Sequence, residues 1–256
     1  MRRIRMIVAY DGTEYVGWQT QPNGLAVQER IEQAIQETTG EQVTLQGSGR
    51  TDSGVHARAQ VAHFDTKARM GADKFAFALN TRLPGDIRIL YSEECDSTFH
   101  ARFSAKEKQY RYFVQTGPHA DVFARRYALH AYMPLDFEKM QAAAAQVVGE
   151  HDFSAFMSTG RQVESAVRRV ILSEWEQQGQ YLIYRVQGNG FLYNMVRILV
   201  GTMLDIGNGR LPENTIAAAL ASCSRKAAGP TAPPHGLMLW RVQYPDFDTE
   251  ELLCHE

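Results

Sequence analysis

The chain reads as an α+β protein of two similar halves, each a mainly antiparallel sheet with helices on one face. Three observations carry this expectation. Strand-length runs of alternating or apolar-rich residues recur along the sequence, segments of helical spacing interrupt them singly, and no Rossmann-type glycine fingerprint follows any strand. The pattern occurs twice, with the halves joining near residue 105. The expected division is therefore 1–104, 105–245 and an acidic tail at 246–256.

The elements follow in order. Ile4 to Tyr10 is apolar-rich and alternating, a strand that ends at the Asp11-Gly12 turn. Residues 25–39 place Val27, Ile31, Ala34 and Ile35 at helical spacing, and Gly40 supplies the stop. Val43–Gln46 and Ala59–Phe64 read as strands with a glycine-rich stretch between them. Asp73–Leu79 reads as a short helix and Ile87–Tyr91 as a strand. Lys106–Gln115 is a longer strand, with Lys106, Lys108, Tyr110 and Tyr112 on alternate positions. The Ala-rich segment 136–148 is helical and closes at Gly149. Arg169–Trp175 and Tyr181–Gln187 flank Gly179 as a hairpin. Met195–Ile206 is an amphipathic helix, a shorter one follows Pro212, and Gly236–Tyr244 is the last strand. Gly229-Pro230-Thr231-Ala232-Pro233-Pro234 is too short to link independent domains.

Composition narrows the function classes. No run approaches the roughly 18 apolar residues of a membrane span. The basic start Met1-Arg2-Arg3-Ile4-Arg5 leads into a strand, without the apolar core of a signal peptide. Cys95, Cys223 and Cys254 are odd in number and far apart, so neither a disulfide framework nor a zinc site is expected and a reducing cytoplasm fits. The net charge is −2, yet five of the 29 acidic residues lie in 246–256, leaving 24 against 27 basic ones. Bases gather at Arg102, Lys106, Lys108 and Arg111, at Arg125 and Arg126, and at Arg161, Arg168 and Arg169. Such clusters bind phosphates whatever the total charge, or simply form a solvated surface.

The stretch with chemical content is Gly47-Ser48-Gly49-Arg50-Thr51-Asp52-Ser53-Gly54-Val55-His56-Ala57. Small residues surround one carboxylate and one guanidinium between two strands. Two readings fit: a plain turn with Asp52 bonded to nearby backbone, or a loop whose glycines let a substrate approach the carboxylate.

This loop resembles the signature of the TruA-type tRNA pseudouridine synthases, and the resemblance extends in order from about residue 4 to 244. Tyr10-Asp11-Gly12, Gly17-Trp18-Gln19 and Val27-Gln28 are similar to the family's amino-terminal segment. Phe99-His100-Ala101-Arg102-Phe103-Ser104-Ala105 with Lys108, Tyr110, Arg111 and Tyr112 resembles its second motif. His151–Phe156, Gly190–Arg197 with Gly201, and Ala232–Leu237 resemble the remaining three. The family often has Ala where Ser53 stands and His where Asn194 stands, and neither position is expected to carry a chemical role.

The resemblance implies two sandwich halves joined into one extended sheet, with the active-site cleft between the halves. It implies conversion of uridine to pseudouridine at tRNA positions 38, 39 and 40, on a flipped-out base. The reaction breaks the bond from uracil N1 to ribose C1′ and joins C5 to C1′, so no cofactor or metal is implied. The sequence has no P-loop, dinucleotide fingerprint or ligand-spaced His/Cys cluster. Asp52 corresponds to the catalytic carboxylate. An ordinary Asp, with a pKa of about 3.9, is ionised at neutral pH. Burial would raise that value unless a cation stood near, and the family's cation corresponds to Arg197. Tyr110 corresponds to the ring that packs on the target base, Arg50 to the Arg that fills the vacated space, and Leu237 to an apolar pocket residue. The implied partners are the tRNA anticodon stem-loop and a second copy of the chain. Two other classes stay open on the residues alone. One is an RNA-binding module using exposed Tyr residues on the strand at Lys108–Val114; the other is a hydrolase with an Asp nucleophile. His56 reads as loop scaffold.

Overall fold

The computed structural model describes residues 1–158 and 163–254. Arg161 and Glu256, which the sequence places in charged clusters, lie outside them. In chain order the first elements are β1 (Arg2–Tyr10), α1 (Val27–Thr39), β2 (Gln46–Gly47), β3 (His56–Thr66), α2 (Lys74–Asn80) and β4 (Ile87–Cys95). Next come β5 (Glu107–Thr116), β6 (Leu129–Ala131), α3 (Phe137–Ala145), β7 (Gly149–Asp152), β8 (Val167–Gln178) and β9 (Tyr181–Gly188). The last are α4 (Met195–Gly207), α5 (Thr215–Ser222), β10 (Leu237–Gln243) and α6 (Thr249–Cys254). The chain divides into two units, Met1–Lys108 with Met238–Glu256, and Gln109–Leu237.

In the first unit the sheet order is β4-β1-β3-β10, with β2 also on β3. β1 pairs antiparallel with β3 and β4, and its register slips between Val8 and Tyr10 on the β3 side. A slip of this kind bends a strand where it must hand over to a loop, and Asp11 follows at once. The second edge of β3 is shared. β2 takes Ala62 and His63, while β10 takes His56 and Ala57 in parallel. Alternation along a strand specifies which face is buried and leaves the partner open, so this parallel pair was not among the expectations. β2 is also shorter and later than the expected strand at Val43–Gln46.

β1 departs from simple alternation as well. Ile4, Met6, Ile7 and Val8 are all buried, and so is Arg5 between them. Both faces of the strand are therefore covered, and the second face carries a cation. Arg5 donates to Glu93 at 2.6 Å and to Asp246 at 2.7 Å, with the Phe247 ring 4.0 Å from its guanidinium. Burial lowers the Arg5 pKa, but the bonds to Asp246 and Glu93 outweigh it and the net direction is upward. The acidic segment is therefore packed against the first unit rather than free of it. Residues 246–254 fold back, Tyr244 stacks on Phe247 at 4.6 Å, and the buried Asp248 binds Arg241. Two acids of the segment thus serve as counter-charges, the exposed Asp246 to Arg5 and the buried Asp248 to Arg241.

In the second unit the order is β5-β9-β8-β7, with β6 parallel to β5. The β8–β9 hairpin turns at Gly179 with φ 58°, the left-handed region that a glycine enters at no steric cost. Asp136 caps α3 by accepting from the Lys139 amide at 3.1 Å. α4 is buried on nearly every side, from Met195 through Gly207, so it is a core helix where an amphipathic one was expected. β6 and β7, three and four residues long, are too short to leave a period in the sequence. Among the described residues no helix is long and apolar enough to cross a membrane.

Candidate active site

The loop between β2 and β3 is fixed against the segment that follows β1. The Trp18 amide donates to the Thr51 carbonyl at 3.2 Å, and Gly17 and Asp52 form an isolated antiparallel bridge. Gly17 has φ +116°, and a Cβ there would stand 2.5 Å from the Thr51 carbonyl oxygen. A Cβ on Gly12 would stand 2.0 Å from the Val55 oxygen. Only glycine lets the two backbones approach this closely. The Ser53 hydroxyl donates to Tyr15 O, the Val55 amide to Asp52 O at 3.1 Å, and the buried Tyr10 hydroxyl bonds Thr51 Oγ1 at 2.8 Å. Asp52 is left half-buried and Arg50 exposed, both on a backbone with little freedom.

Beneath the loop lies a polar network. The Ser48 hydroxyl donates to Gln60 Oε1 at 2.6 Å, and Gln60 Nε2 donates to the Gly49 carbonyl at 2.9 Å. Lys108 Nζ donates to the Ser48 carbonyl at 2.5 Å. Burial, helped by the charge of Arg102, pulls the Lys108 amine down to about 8. A cation thus sits under the loop that carries the carboxylate. Sequence places Lys108 on an alternating strand, in a basic cluster and in the second motif; its buried carbonyl partner lies 60 residues away and leaves no local signal.

His56 is buried, and its Nδ1 lies 3.0 Å from the Gly12 amide and 3.2 Å from Asp11 Oδ1. Accepting from the Gly12 amide through Nδ1, the ring ties the segment after β1 to the loop. His63 accepts the Ala101 amide at 3.1 Å through Nδ1, and burial, with Arg3 and His100 nearby, lowers its pKa to about 4. Among the described residues no group of three or more His, Cys, Asp and Glu is placed to hold a metal ion.

The second unit holds Tyr110, Arg197 and Leu237. Tyr110 on β5 is buried and meets Phe191 edge to face, centroids 5.2 Å apart. Tyr112 on the same strand is fully buried and its hydroxyl donates to Pro233 O at 2.9 Å. The strand is thus sealed at Tyr112, while Tyr110 keeps a small part of its ring exposed. Arg197, in the first turn of α4, is half-buried. Its Nε donates to Ala232 O at 2.8 Å and its Nη1 to Asn194 Oδ1 at 2.8 Å, while its own carbonyl accepts from the Ala232 amide. Leu237 is buried at the start of β10.

Arg50 and Asp52 thus share one clasped loop of the first unit. In the second, Tyr110 joins Phe191, and Arg197 joins Asn194 and the Pro-rich loop. Asn194 is the residue that sequence undervalued. It stands just before α4 with φ 61°, a left-handed conformation that Asn tolerates, and its amide also donates to Ser158 Oγ at 2.9 Å. It aims the Arg197 fork.

The sequence model of the family described as tRNA pseudouridine synthase matches residues 6–104 and 143–245. The chain is 49% identical over 244 residues to tRNA pseudouridine synthase A of Brevibacillus brevis, covering 95% of this chain and 100% of that one. It is 48% identical over 244 residues to the enzyme of the same description from Bacillus pumilus, covering 94% and 99%. The figure for Halalkalibacterium halodurans is 48% over 242 residues, covering 94% and 92%. On both counts the chain belongs to the tRNA pseudouridine synthase family.

Proposed function

We propose that this protein converts uridine to pseudouridine at positions 38, 39 and 40 of the tRNA anticodon arm, with Asp52 as its catalytic carboxylate. What supports the assignment most is the clasp on residues 47–55. It spends two glycines and a buried polar network on fixing one half-buried carboxylate. Nucleophiles gain from such positioning because little ordering is left to be done when substrate arrives.

In this mechanism the target nucleotide leaves its stack, at a cost of a few kcal/mol. The ionised Asp52 then attacks C6, attacks C1′ or removes the C2′ proton; each begins from the same charged oxygen. The N1–C1′ bond breaks, the uracil turns, C5 bonds to C1′, the C5 proton passes to water and the freed N1 takes up one proton from water. No atom is gained or lost overall. Tyr110 supplies a face for the base or takes part in proton transfer. Arg50 fills the vacated space, Arg197 contributes positive charge, and Leu237 lines the base pocket. The protein acts as a homodimer in the cytoplasm and needs neither metal nor cofactor.

The test uses tRNA tritiated at uracil C5. Tritium should appear in water in proportion to protein. Asp52→Ala should lower that rate roughly a thousandfold or more, while tRNA binding stays within about threefold. Undiminished release by Asp52→Ala, or none from wild type on any anticodon-arm uridine, would overturn the assignment.

A further inference from the structure

Phe103 is 76% exposed, yet the turn that carries it is tightly held. The His100 amide donates to Ser104 Oγ, and the Ser104 amide returns to His100 O at 2.9 Å. His100 Nδ1 accepts the amides of Arg102 at 3.1 Å and Phe103 at 3.4 Å. Below, the turn is anchored in the core. Ala101 is fully buried, its amide donates to His63 and its carbonyl accepts from the Tyr244 hydroxyl at 2.6 Å. Arg3 Nη1 holds the carbonyls of Ser97 and Phe99. An exposed ring on a mobile loop is ordinary; one this well braced presents a fixed apolar face to solvent.

Its neighbours give that face a chemistry. The His100 ring lies 4.4 Å from the Phe103 centroid, and the Arg102 guanidinium 5.5 Å. Arg102 and Lys106 are exposed, and residues 97–106 contain no acid. A rigid aromatic face with a guanidinium beside it on an acid-free stretch matches an unpaired nucleobase with its phosphate, the combination that single-stranded nucleic-acid sites use.

We propose that Phe103, with Arg102 beside it, is a stacking platform for an unpaired base of the bound tRNA, separate from the base that reacts. The proposal rests on the tRNA assignment above and adds a second point of grip. Phe103 positions substrate and takes no part in bond making.

Binding of an anticodon-arm tRNA transcript and steady-state turnover would be compared for wild type, Phe103→Ala, Phe103→Trp and Arg102→Gln. Because the ring is exposed, Phe103→Ala should keep the wild-type melting temperature. It should raise Kd and KM roughly 5- to 150-fold, with kcat within about twofold. Phe103→Trp should restore binding, and its added indole fluorescence should be quenched by tRNA. Arg102→Gln should weaken binding and lower the salt slope by about one. Unchanged Kd in Phe103→Ala, or a loss that Trp does not repair, overturns the platform. So does a change in oligomeric mass with tRNA affinity intact, which would make the ring a protein contact. If wild type binds tRNA but converts no uridine, the activity assignment fails, while the binding comparison still decides the role of Phe103.

Discussion

At the scale of single residues, Lys108 sets a measurable pH signature. Its amine falls to about 8 in the folded protein, chiefly through burial, against roughly 10.4 for a free lysine. The charged form is thus the costly one when folded. Stability from this group is present above the unfolded value and is lost as pH drops through about 8. Lys108→Met cannot titrate, so the stability of wild type relative to the variant should climb by roughly 3 kcal/mol or less between pH 7.5 and 10.5. Denaturant unfolding across that range checks it, and the buried tyrosines, common to both proteins, cancel. A flat difference would mean the amine is solvated. The same variant loses the bond to the Ser48 carbonyl, so its turnover should fall with it.

At the scale of elements, the proposed chemistry at Asp52 rests on the clasp between residues 11–18 and 47–55. Alanine at position 17 would need a strained φ and would press its Cβ against the Thr51 carbonyl. Separating those backbones costs on the order of 1–3 kcal/mol, and it displaces the bridge to Asp52. Gly17→Ala should therefore cut kcat at least tenfold while tRNA affinity stays within about threefold. Equal losses in both would assign the clasp to overall folding. The glycine-rich loop of this clasp was legible in the sequence, because glycine is required where two backbones come this close, while Asp52 was singled out by the family resemblance. Lys108 and Asn194 were not: one holds the Ser48 carbonyl and the other the Arg197 guanidinium, and neither role follows from the residue type.

At the scale of the whole molecule, the C-terminal segment belongs to the first unit. Deleting residues 246–256 strips Arg5 of Asp246 and Arg241 of Asp248, leaving partly buried charges short of partners. Removing the buried Asp248 from Arg241 costs up to about 3–5 kcal/mol, while Arg5 keeps Glu93 and loses only the exposed Asp246. Amide exchange should then accelerate in β1 and β4 and stay unchanged in β8 and β9; equal exchange throughout would return the tail to solvent. The sequence by itself determined the strand and helix types and the loop with Asp52 and Arg50, since hydrophobic period and glycine requirement act within a few residues. Only the tertiary structure decided the parallel seat of β10 on β3, the burial of α4 and the use of tail acids against Arg5 and Arg241. Those outcomes depend on which distant surfaces meet, and the free energy of burying a charge depends on the partner that folding brings to it.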